Sequence, residues 1–120
     1  MWKKLLSLGQ EVVITDDKET ILNADRIILP GVGAFGDAMA QLEKTGLDAV
    51  IREAVEKNIP FLGICLGLQL LFEKSEEAPG VKGLGILKGE VKKIPAEQGL
   101  KIPHMGWNSL HFAHDGKLFH

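Results

Sequence analysis

Two periods alternate along this chain. Short apolar runs rich in β-branched residues are followed by stretches where apolar positions recur every three to four residues. Lys3 to Leu8 reads as the end of a helix closed by Gly9, with Glu11-Val12-Val13-Ile14-Thr15 as a strand behind it. Asp16-Asp17 caps a short helix through Ile21-Leu22, and Arg26-Ile27-Ile28-Leu29 forms the next strand. Both strands are near-continuous apolar runs without strict alternation, as parallel strands covered on both faces are. After a Gly-rich turn from Pro30 to Gly36, helical spacing resumes with Met39 and Leu42. A further helix carries Leu47, Val50, Ile51, Ala54 and Val55 on one stripe and ends at Asn58. Ile59-Pro60-Phe61-Leu62-Gly63-Ile64 is the third strand, with Pro60 near its start, where the lost donor costs least. Leu66 to Phe72 reads as a helix entered straight from that strand.

Beyond Lys74 the texture changes. Ser75 to Gly80 is loop composition, and glycines recur at Gly83, Gly85, Gly89 and Gly99. Gly89 to Pro95 alternates polar and apolar residues, the pattern of a half-exposed antiparallel strand. The sum is an α/β domain with a mostly parallel sheet and helices on both faces.

Composition narrows the function classes. The 120 residues have room for one domain, and 45% apolar with 25% charged residues is globular composition. Fourteen basic against sixteen acidic side chains leave a net charge of −2, so no basic excess draws in a nucleic acid. One cysteine excludes an internal disulfide and a cysteine-based zinc site, and it suits a reducing compartment. No apolar run reaches the roughly 18–20 residues of a membrane span, and the N-terminal Met1 to Leu6 is no signal peptide. The expected setting is cytoplasmic and soluble, without membrane or nucleic-acid partners.

Three segments carry candidate chemistry. Gly31-Val32-Gly33-Ala34-Phe35-Gly36 matches the dinucleotide fingerprint in its strand-to-helix setting. A nicotinamide site needs an acid at the tip of the next strand, but that tip carries Cys65, while Glu53 and Glu56 fall inside the preceding helix. A glycine turn allowing close backbone approach explains the segment equally well, and its amides remain available as oxyanion donors. Gly63-Ile64-Cys65-Leu66-Gly67 is a nucleophile elbow with cysteine at the corner. The tight turn pushes the sulfur out of the sheet, and the glycines remove side chains that would clash. The amide of Leu66 at the start of the helix faces the same space. The alternative is a buried cysteine acting as a small hydrophobe. A thiol nucleophile also needs a base, yet His104, His111, His114 and His120 all lie near the C-terminus, without a convincing His–acid pair. His111 and His114 sit in a polar stretch with no second ligand pair, so no metal site is expected. Ile102-Pro103-His104-Met105-Gly106-Trp107-Asn108 makes a rigid knuckle that either presents Trp107 to a partner or buries it in the core.

Together, Pro30 to Met39, Gly63 to Phe72 and Pro103 to Asn108 resemble the class I (triad) glutamine amidotransferases, and among them the glutaminase subunit of imidazole glycerol phosphate synthase. The resemblance runs along essentially the whole chain. It implies a flavodoxin-like three-layer α/β fold and no cofactor. Cys65 would attack the side-chain amide of glutamine, with oxyanion stabilisation on the amides of Val32 and Leu66 and glutamine contacts on Gly33 and Gln69. Met105, Trp107 and Asn108 would face a TIM-barrel synthase subunit that consumes the ammonia in histidine biosynthesis. The family opens on a strand and a Gly-rich turn, and its base and acid come from a His-Pro-Glu segment near the C-terminus. Residues 1–120 therefore read as a partial amidotransferase domain, incomplete at both ends, expected to be nearly inactive and poorly folded in isolation. Two rival classes stand beside this one: a nicotinamide-binding fold, and a non-catalytic interaction module that keeps the docking face around Trp107.

Overall fold

The computed structural model of the chain describes residues 1–95, 99 and 101–116. Helix α1 (Trp2–Ser7) and helix α2 (Lys18–Leu22) precede strand β1 (Ile27–Gly31). Helices α3 (Phe35–Thr45) and α4 (Leu47–Glu56) then lead to strand β2 (Phe61–Cys65) and helix α5 (Leu66–Gln69). Two short strands follow, β3 (Lys74–Ser75) and β4 (Glu90–Val91). This is the α/β class that the alternating periods imply.

Local chemistry accounts for the element ends. Asp17 caps α2, its carboxylate accepting from the Thr20 amide at 2.8 Å and the Thr20 hydroxyl at 2.7 Å, which holds it below the usual carboxylate range. Gly46, at φ 74°, closes α3 and opens α4 in one left-handed residue that a Cβ would disfavour. Along α4, Asp48 pairs with Arg52 at 2.7 Å one turn on, and that hydrogen bond lowers the Asp48 pKa. Arg52 Nε also donates to the Leu84 carbonyl at 3.1 Å, tying α4 to the later loop. Glu53 bridges Lys18 of α2 and Lys57, at 3.0 and 3.2 Å.

Strands β1 and β2 pair in parallel, with Ile27 opposite Phe61 and Gly31 opposite Cys65. A parallel pair needs a crossover connection, and α3 and α4 supply it, giving the βαβ unit of doubly wound sheets. The core gathers where α3, α4 and α5 meet the loop after β3. Phe35, Met39, Ile51, Leu66, Leu70, Leu71 and Leu84 form one buried cluster.

Four sequence expectations need correction. Residues 11–15 form no strand. Val13 and Ile14 are 63% and 77% exposed, because a β-branched run becomes a strand only beside a partner, and no described strand pairs with it. Strand β1, expected to be covered on both faces, is half-buried, since β2 is its one neighbour among the described residues. The helix after β2 stops at Gln69 instead of Phe72. The amides of Leu71 and Phe72 bond to Leu68 and Gln69, three residues back instead of four, which ends the α ladder. The carbonyls of Leu70, Leu71, Phe72 and Glu73 accept from the amides of Leu84, Leu87, Gly85 and Gly83 at 2.8 to 3.2 Å. Finally, the 89–95 strand is two residues long, and it runs parallel to β3; the antiparallel contact is instead a Lys74–Lys82 bridge.

The described residues 101–116 are exposed throughout and carry no regular element. With α1, whose residues are also unburied, they extend the chain to a radius of gyration of 16.1 Å, above the about 14 Å of a compact domain this long. Among the described residues no helix is long and apolar enough to cross a membrane.

Candidate active site

The site is built on the corner between β2 and α5. Cys65 has φ 56° and ψ −123°, a conformation that L side chains rarely adopt, and its side chain is exposed rather than packed as a hydrophobe. Such strain persists only where the surroundings force it, and here the glycines do so. A Cβ on Gly63 would lie 2.7 Å from the Cα of Leu68, and one on Gly67 would overlap the carbonyl oxygen of Leu29. Gly31 has the same constraint from the other side, with Leu66 Cβ and the Gly67 amide each 3.0 Å from the place its Cβ would take. The backbone of β1 thus presses against the first turn of α5. Leu66 and Leu70 anchor that turn in the core, leaving Cys65 at the surface.

Register puts the glycine loop beside the sulfur. Gly31 is the strand partner of Cys65, so Val32 and Gly33 leave β1 next to the corner. Gly33 sits at φ 102°, and a Cβ there would meet nothing within 4 Å, so conformation rather than crowding selects glycine. Val32 is 93% exposed, an unusual place for a β-branched residue held by nothing but its backbone. The loop enters α3 through Ala34 with no side-chain cap. Glu53, the acid that a nicotinamide site would borrow, is already engaged by two lysines.

Gln69, one helical turn past Cys65, lines an open concavity with Ser75, Glu76, Glu77, Val91, Lys92 and Lys93. Of these, Gln69 alone is recognisable from the sequence. Only fold contact brings β3 and β4 to α5, and the sole local signal is the Ser75-Glu76-Glu77 turn itself. Two of its four charged side chains, Lys92 and Glu76, are already engaged. Glu90 bridges Lys74 and Lys92 at 3.0 and 2.9 Å, which lowers the Glu90 pKa and raises that of Lys92. The Glu76 carboxylate accepts from the Lys93 amide at 3.0 Å. Among the described residues the carboxylate of Glu77 and the ammonium of Lys93 have no partner. A pocket with one free anion and one free cation suits the zwitterionic head of an amino acid.

No described histidine is hydrogen-bonded to Cys65. His104 Nε2 instead meets the Asn108 side-chain amide at 2.8 Å, and His120 lies outside the described residues. Among the described residues no group of three His, Cys, Asp or Glu side chains is placed to hold a metal ion. Trp107 is fully exposed and Met105 nearly so, so Trp107 is not part of the described core.

Comparison with known proteins supplies the deciding observation. Residues 3–120 match the family described as glutamine amidotransferase class-I. The chain belongs to that family. That membership replaces the nicotinamide reading. The chain is 57% identical over 117 residues to the imidazole glycerol phosphate synthase subunit HisH of Moorella thermoacetica, covering 98% of this chain and 55% of that protein. It is equally similar to the subunit of the same name from Aquifex aeolicus, at 57% over 117 residues, 97% of this chain and 56% of that one. The Methanocaldococcus jannaschii subunit HisH is 50% identical over 117 residues, 98% and 58% of the two chains. The chain spans about half the length of these relatives.

Proposed function

We propose that this chain supplies the nucleophile and glutamine-binding half of a glutaminase that feeds ammonia to imidazole glycerol phosphate synthase in histidine biosynthesis. The observation that carries the reading is the strained, exposed Cys65 held at a strand-to-helix corner by Gly63 and Gly67. A cysteine in that position attacks; the likeness to subunits named HisH supplies the pathway. The Cys65 thiolate adds to the side-chain amide carbon of glutamine, and the negative oxygen of the tetrahedral intermediate rests on the amides of Val32 and Leu66. The carbon–nitrogen bond then breaks, ammonia leaves with a proton, and water hydrolyses the thioester to glutamate. Gly33 and Gln69 hold the substrate side chain, while Glu77 and Lys93 face its ammonium and carboxylate.

Proton transfer draws on a base outside the described residues, since none of them offers Cys65 a histidine. The 120-residue chain is therefore expected to be alkylated at Cys65 by a glutamine-shaped diazoketone, with free glutamine protecting, while releasing ammonia only at background rate. Mass spectrometry of the labelled peptide and a coupled ammonia assay check the two halves of that result. Labelling that glutamine does not slow would sink the glutaminase reading.

The exposed Met105, Trp107 and Asn108 fit a docking face for a TIM-barrel synthase subunit, large aromatic anchors being common at such contacts. Trp107→Ala should weaken co-purification with that subunit by about tenfold or more in Kd, with diazoketone labelling unchanged. Equal capture of both forms in a titrated pull-down would remove Trp107 from the interface. This reading is favoured over a purely non-catalytic module because such a module has no use for strain at Cys65.

A further inference from the structure

The 91–93 segment forms one wall of the concavity that Gln69 lines, yet little apolar burial holds it there: Val91 is half-buried, and Lys92 and Lys93 are exposed. Its attachment is polar and comes from one stretch of chain. The amide of Glu76 donates to the Val91 carbonyl at 3.0 Å, and the carboxylate of Glu76 accepts from the Lys93 amide at 3.0 Å. Glu73 repeats the device earlier in the chain. Its amide donates to the Gly89 carbonyl at 3.2 Å and its carboxylate accepts from the Gly89 amide at 2.8 Å. The two glutamates grip the start and end of the same segment, each with one backbone and one side-chain hydrogen bond. Strand β4 is only two residues long, so its own ladder contributes few bonds.

The two clasps differ in what they face. Gly89 does not line the concavity, whereas the residue held by the Glu76 carboxylate is Lys93, which lines it together with Glu77. We propose that Glu76 is a positioning residue for the substrate site, its carboxylate fixing the Lys93 backbone so that the free ammonium and the Glu77 carboxylate stand at a spacing that accepts one amino-acid head group. The proposal deepens the glutaminase reading and rests on it. In this role the Glu76 carboxylate stays on the Lys93 amide rather than on the substrate. It acts by reducing the number of conformations that the wall samples before binding.

The test is the saturation of Cys65 alkylation by the glutamine-shaped diazoketone in the full chain, with iodoacetamide, which has no head group, as the comparison reagent. Glu76→Ala removes the acceptor, and Glu76→Gln keeps a neutral acceptor for the Lys93 amide. Glu76→Ala is expected to raise the half-saturating diazoketone concentration about fivefold, the size of one lost, partly solvated hydrogen bond, while the limiting rate stays within about twofold. Glu76→Gln should restore half-saturation to within about twofold of the parent, and iodoacetamide should react with all three forms alike. Unchanged half-saturation in Glu76→Ala overturns the proposal, as does failure of Glu76→Gln to rescue. A parallel loss of iodoacetamide reactivity overturns it too, because the effect would then be on the corner and not on the wall. Failure of the underlying reading has a different signature: the parent chain itself would show no saturation with the diazoketone, and the positioning role would fall with it.

Discussion

Cys65→Ala in the assembled synthase is expected to bring glutamine-dependent ammonia release down by at least about 10⁴-fold, to background. Every covalent step of the proposed chemistry passes through that sulfur, and nothing else within the corner can form a thioester. The exposed position of Cys65 makes the substitution mild for the fold, since no core contact is lost. Synthesis from free ammonia should continue at its parent rate in the same preparation, which separates loss of the nucleophile from loss of the assembly. Cys65→Ser is a sharper probe of the corner, because a hydroxyl there is presented in the same strained geometry but is a far weaker nucleophile. Residual glutamine-dependent release within about tenfold of the parent in Cys65→Ala would mean that the sulfur is not the attacking atom.

Gly67→Ala is expected to be the most destabilising single methyl that the described residues can receive near the site. The added carbon would overlap the Leu29 carbonyl oxygen, a backbone atom of β1 that cannot rotate away. Relief requires β1 and α5 to separate, which also opens the contact between Gly31 and Leu66. The cost is about 3 kcal/mol or more, a large share of the stability of a domain this size. Thermal unfolding followed by circular dichroism should show a midpoint lowered by about 10 °C or more, or no cooperative transition at all. Gly106→Ala is the matched control: nothing stands within 4 Å of the place its Cβ would take, and its midpoint should stay put. A Gly67→Ala midpoint indistinguishable from that control would show that β1 and α5 do not pack this closely.

Much of the site can be read from the chain because its constraints are local. A strand that meets a helix at a cysteine between two glycines states its own geometry, and Cys65 at φ 56° is the result. The glycine loop is legible for the same reason, although its composition alone fits a dinucleotide equally well; the family match decides between them, and the strand partnership of Gly31 with Cys65 is not written in composition. The wall formed by Val91, Lys92 and Lys93 is invisible at that level. Its alternation announces a strand, but partner and direction depend on Glu73 and Glu76 reaching across from beside β3. Residues 11–15 mislead for a related cause. β-propensity describes how well a residue fits a neighbouring strand, and Val13 and Ile14 have none to fit among the described residues. The helix after Cys65 reads too long because the shortened bonds after Gln69, and the capture of the next carbonyls by distant amides, leave no trace in periodicity.

That capture has a consequence for motion. The carbonyls of Leu70, Leu71, Phe72 and Glu73 find their donors in Leu84, Leu87, Gly85 and Gly83, so the turn carrying the nucleophile is fastened at its far end by a later, irregular piece of chain. Neither part can open alone without stranding the polar groups of the other. The corner and the 83–87 loop are therefore expected to open as one cooperative unit, with the weaker of the two limiting how firmly Cys65 is held.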